Sequence, residues 1–112
     1  MHFSISVIAT ALIAATSVQA AWPKANEYRS TNCGGSLNYG HHSLTLTDVT
    51  MDDTTGSVYL SGAHWMGYSD KTSNGGKCSG SALGVMNDKC NALNSKFSRR
   101  VKCVRRVNPS GV

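Results

Sequence analysis

Three histidines follow residue 20, namely His41, His42 and His64, and the chain has one glutamate, Glu27. Histidine titrates near neutral pH and is the usual proton carrier of an active site. His41 and His42 are neighbours. On an extended strand neighbours point to opposite faces, so these two do not form a paired ligand set. A small ribonuclease needs a base, a second acid and an arginine for the phosphate. His42, His64, Asp48 and Arg99 supply those types, but nothing in their spacing joins them. Glu27 stands in a polar, irregular stretch. Asp52-Asp53 precedes Thr54-Thr55-Gly56, and turn formation accounts for both acids. No GxSxG, HExxH, CxxC or phosphate-loop pattern occurs. No catalytic residue, metal or cofactor is assigned, and the expectation is a protein that is not an enzyme.

The remaining reactive residues are Cys33, Cys78, Cys90 and Cys103. Their meaning depends on compartment, and the first twenty residues supply it. An apolar run from Ile5 to Ala15 is interrupted only by Ser6 and Thr10. No Asp, Glu, Lys or Arg precedes Lys24, and Val18-Gln19-Ala20 places small residues where a signal peptidase reads them. Residues 1–20 are therefore expected to be a signal peptide, and 21–112 a single secreted domain. The run is too short to span a bilayer, and no second apolar segment of spanning length follows. In an oxidising route four cysteines favour two disulfides over a metal site.

Which elements position these residues? Leu44 to Met51 is rich in β-branched residues, Asp52 to Gly56 has turn chemistry, and Ser57 to Ser61 resumes the strand pattern. This predicts a β-hairpin over 43–61. Residues 62–76 read as loop. Leu83, Met86, Cys90, Leu93 and Phe97 recur at helical spacing, which predicts a helix over about 81–97. Residues 99–107 alternate again and predict a third strand. The expected fold is a small disulfide-stapled α+β domain, a short antiparallel sheet covered by one helix.

That helix would hold Cys78 and Cys90 about 18 Å apart, well beyond the roughly 7 Å a disulfide allows. It would also bring Cys90 past Cys103 on the returning strand. This favours Cys33–Cys78 with Cys90–Cys103 over Cys33–Cys90 with Cys78–Cys103. Chain-entropy arguments give about 4 kcal/mol for the longer loop and about 3 for the shorter.

Charge is unevenly spread. The chain carries 11 Lys and Arg against 6 Asp and Glu, a net +5. Residues 21–95 hold five of those cations and all six acids. Lys96, Arg99, Arg100, Lys102, Arg105 and Arg106 follow with no acid among them. They form a candidate basic face for an anionic surface or an acidic host protein. Aromatics are not interleaved with them, which disfavours nucleic acid. A solvated edge strand whose charges block aggregation is the plainer account. The segment His64, Trp65, Met66 and Tyr68 is a candidate aromatic loop for a partner, or a lid over the core.

Three stretches resemble the small secreted cysteine-containing proteins of filamentous fungi. They are Val49-Thr50-Met51-Asp52-Asp53-Thr54-Thr55-Gly56-Ser57-Val58-Tyr59, Lys77-Cys78-Ser79-Gly80-Ser81-Ala82-Leu83-Gly84 and Arg99-Arg100-Val101-Lys102-Cys103-Val104-Arg105. The resemblance implies a candidate effector, a secreted protein that acts on a plant or other host, usually by binding, and the expected state is a monomer. It carries no catalytic residues with it. The competing expectation is a cationic antimicrobial or toxin-like protein acting on microbial envelopes.

Overall fold

The computed structural model describes residues 22–107 and forms them into eight β-strands, with no helix among the described residues. The expected signal peptide, residues 1–20, lies outside them. In chain order the strands are β1 (Lys24–Tyr28), β2 (Leu37–Tyr39), β3 (Asp48–Thr50), β4 (Ser57–Ser61), β5 (His64–Lys71), β6 (Cys78–Val85), β7 (Lys89–Ala92) and β8 (Cys103–Val107). They build two antiparallel four-stranded sheets. Sheet A has the order β2-β1-β4-β7, and sheet B has β3-β8-β5-β6. The inward faces alternate as half-buried strands should. Val58 and Leu60 point inward from β4, Val49 and Val104 from β3 and β8, and Trp65 from β5. Met51, Met86, Leu93 and Val101 fill the core from the segments between strands. The α+β expectation is thus replaced by an all-β fold.

The helix over 81–97 does not form. Leu83 lies on β6 and Cys90 on β7, while Met86 and Leu93 reach the core from connecting segments. Apolar residues spaced three and four apart suit two short strands separated by a sheet-crossing turn equally well. Local chemistry decides between the two. Asn91 binds the backbone N–H and C=O of Asn87 and the carbonyl of Lys89, holding a turn where a helix would run. Gly84 has φ +154°, far from helical, and the Phe97 ring packs where its Cβ would stand.

The hairpin over 43–61 is also corrected. Both strands exist, but they belong to different sheets. β3 pairs with β8, whereas β4 pairs with β1 and β7. The Asp52–Gly56 turn carries the chain from one layer to the other. The third strand is present and shorter than expected, at 103–107 instead of 99–107. The expected loop over 62–76 contains β5, the long central strand of sheet B.

The disulfides are Cys33–Cys90 and Cys78–Cys103, the less favoured of the two pairings. The preference rested on the helix, and without it Cys90 and Cys103 fall in opposite sheets. Each disulfide belongs to one sheet. Cys33–Cys90 ties the segment after β1 to β7. Cys78–Cys103 joins β6 to β8, although β5 lies between them in the sheet order. Sheet B is coiled enough for this closure, with register shifts in the β5–β6 pair beside Tyr68.

Candidate functional site

Two surfaces gather functional side chains. The first is the outer face of sheet B. Residues opposite each other in antiparallel strands share a face. Met66 of β5 stands opposite Val85 on one side and Arg105 on the other. His64 stands opposite Val107, and Tyr68 opposite Ala82 and Cys103. Val85 is 66% exposed. Trp65 alternates to the inner face and is 1% exposed. The candidate aromatic loop is therefore a strand that splits. His64, Met66 and Tyr68 face outward, and Trp65 is core.

The candidate basic face also divides. The Arg105 guanidinium lies 4.8 Å from the centre of the Tyr68 ring and binds Asp48 through Nε at 3.0 Å and Nη2 at 3.0 Å. It donates a further bond to the Cys78 carbonyl, while the Cys78 N–H donates to Asp48. This knot ties β3, β8 and β6 together, so Arg105 is chiefly structural. The Arg105 hydrogen bond holds the Asp48 carboxyl below its ordinary range. The Cys78 amide adds to that effect, and partial burial opposes it. Arg99 and Lys102 flank Asp70 of β5, at 4.0 and 3.9 Å. Arg100 instead donates to the Asp52 carbonyl and the Asn94 amide oxygen. Arg106 donates to the Leu44 carbonyl, and the Lys96 ammonium lies over the Phe97 ring. Arg99, Lys102 and Arg105 thus join Met66 and Tyr68 on one side of the molecule. Arg100, Lys96 and Arg106 are committed elsewhere.

The second surface was missed in the sequence. A cleft of about 320 Å³ opens between the sheets beside β2. Glu27, Tyr39, His41, Thr50, Asp52, Asn74 and Gly75 line it. Glu27 points inward from β1 and is 1% exposed. Its Oε2 lies 2.6 Å from His41 Nε2. Its Oε1 accepts the Asp52 amide at 2.8 Å and the Thr55 hydroxyl at 2.7 Å. This contact occupies His41 Nε2 and leaves Nδ1 without a partner among the described residues. Glu27 was set aside because β1, Lys-Ala-Asn-Glu-Tyr, lacks apolar alternation. The available signal was Tyr39-Gly40-His41, since residues two apart on a strand share a face.

Among the described residues no group of three His, Cys, Asp or Glu is placed to hold a metal, and no helix is long and apolar enough to cross a membrane. Comparison with protein-family models, curated proteins and solved structures found no match for this chain.

Proposed function

We propose that this is a secreted, effector-type protein that acts by binding a host component without catalysis. Two disulfides are consistent with an extracellular protein. The observation that carries the reading is the outer face of sheet B. It sets Met66, Tyr68 and the exposed Val85 beside Arg99 and Lys102. Aromatic, Met and Arg side chains are enriched at protein interfaces, and excess positive charge around apolar residues suits an acidic protein. The envelope-active alternative draws less support, because the six cations are spread over several sides of the molecule and Arg105 is neutralised by Asp48.

The test uses protein secreted from the full chain and recovered with its disulfides intact. Applied to leaf tissue, it is expected to dampen the chitin-triggered oxidative burst. Val85→Asp and Lys102→Glu change exposed side chains and are expected to remove that effect while leaving the thermal unfolding profile intact. An undiminished effect in both variants sinks the assignment of this face. An unchanged burst together with inhibition of microbial growth supports the envelope reading instead.

A further inference from the structure

The cleft beside β2 has a chemistry of its own, independent of sheet B's outer face. Its charged groups are largely satisfied from within. Glu27 accepts three donors. Lys71, which binds the lining residue Asn74, donates to it and to the Met51 carbonyl and Asp53. Asp52 Oδ2 accepts from the Thr54 amide and hydroxyl. The valences left over within the described residues are mixed in kind. Asp52 Oδ1 accepts, the Asn74 side-chain N–H groups donate, and the Tyr39 hydroxyl does either. His41 Nδ1 adds a ring nitrogen, which donates or accepts with its tautomer. Tyr39 lines the same cleft and is 51% exposed, so its ring can offer a flat apolar face.

Each ligand class meets this lining differently. An anion would approach Glu27 and Asp52, which repel it. A cation would find Glu27 taken up by its three partners and the Lys71 ammonium already bound to the lining residue Asn74. A neutral polyhydroxylated ring meets neither obstacle. Every hydroxyl both donates and accepts, so it can pair with either kind of leftover valence. The C–H face of a pyranose can lie on the Tyr39 ring. The volume of about 320 Å³ is at the small end of ligand pockets, which run from roughly 300 to 1,000 Å³, and suits one or two sugar rings. We propose that this cleft is a subsite for a neutral sugar ring, with Tyr39 as the stacking platform and Asp52, Asn74 and His41 reading its hydroxyls.

The test is an NMR titration of isotope-labelled protein secreted from the full chain. The probes are tetrasaccharides of β-linked glucose, xylose and N-acetylglucosamine, the first two found in plant walls and the last in fungal walls. Tetragalacturonate and spermidine serve as anionic and cationic controls. Saturable shifts are expected at the amides of Tyr39 to His42, Asp52 and Gly75 with at least one neutral probe, at a Kd of roughly 1 mM or below. Tyr39→Ala should weaken binding about tenfold, the scale of one lost aromatic contact, and Tyr39→Phe should stay within about threefold. Asn74→Ala, an exposed change, should weaken it as well. Val85→Asp, on the other surface, should leave it unaltered. The proposal is overturned if no neutral probe gives saturable shifts there by about 10 mM. It is equally overturned if a control binds more tightly, or if Tyr39→Ala and Asn74→Ala both bind as wild type does.

Discussion

Glu27 joins β1 to the turn that carries the chain between sheets, and removing it has a calculable cost. Glu27→Ala takes away the acceptor of a turn amide, the Thr55 hydroxyl and His41 Nε2. A buried donor left without a partner costs about 1–3 kcal/mol. The turn amide is fixed in direction and bears such a cost. The Thr55 hydroxyl can rotate, and it already accepts from Asn38, so its loss falls near the lower end. The deleted methylene adds about 0.8 kcal/mol. Release of a buried carboxylate offsets part of this. The expected net loss is about 3 kcal/mol, a large share of the ~5–15 kcal/mol that holds a domain together. Glu27→Gln keeps an acceptor oxygen for the turn amide and Thr55. Its amide can donate to His41 Nε2 once the imidazole changes tautomer. It loses only the charge assistance, about 1 kcal/mol. Urea unfolding of the oxidised protein separates the two. With an m-value of about 1–1.5 kcal/mol/M, Ala should lower the midpoint by about 2–3 M and Gln by under ~1 M. Equal losses in the two variants, or a loss below ~1 kcal/mol in Glu27→Ala, would refute the claim that these hydrogen bonds stabilise the join.

Non-reducing peptide mapping should recover fragments linked through Cys33–Cys90 and Cys78–Cys103, and a Cys90–Cys103 fragment would contradict the sheet assignment. The Asp48 carboxyl is held below its ordinary range when folded, so its contribution is present above the unfolded value near 3.9 and fades as pH falls through the folded value. Asp48→Asn should therefore cost about 1–2 kcal/mol at neutral pH, and the gap to wild type in chemical unfolding should close at acid pH below about 4. A Cβ on Gly56 would meet the Arg29 and Ser30 carbonyl oxygens at 2.5 and 2.7 Å, both backbone atoms. Gly56→Ala should lower thermal stability by more than about 2 kcal/mol, some 8 °C or more for a domain of this size. Trp65 is enclosed in the core while its indole N–H has no partner among the described residues. Trp65→Phe should cost under about 1.5 kcal/mol in urea unfolding, against roughly 3–5 for Trp65→Ala.

What the sequence made legible followed from local pattern. The strand at 57–61 shows its Val58 and Leu60 alternation, and 103–107 reads as strand from its own residues. What it concealed depended on partners far along the chain. β1 turns Glu27 inward, and a buried carboxylate looks like loop until Thr55 and His41 are beside it. β5 places Gly67 and Ser69 on its buried face, where the coiled sheet leaves room for little else, so only Trp65 marked that face. The strands of the expected hairpin have the right composition, but composition does not say which strand lies beside which. The same holds for the sites. Arg105 looked like one of six free cations, and Asp48, 57 residues earlier, claims it.

The place of β8 in sheet B bears on how the chain is made. The last described strand is an interior one, lying between β3 and β5. A polypeptide made from its N-terminus delivers β3, β5 and β6 before the strand that β3 must pair with exists. Cys78 likewise waits for Cys103, while Cys33 can already meet Cys90. Sheet B can therefore close only once residues 103–107 have emerged. A chain cut before β8 is left with two unpaired strand edges and a lone Cys78 thiol, the kind of product that cellular quality control removes.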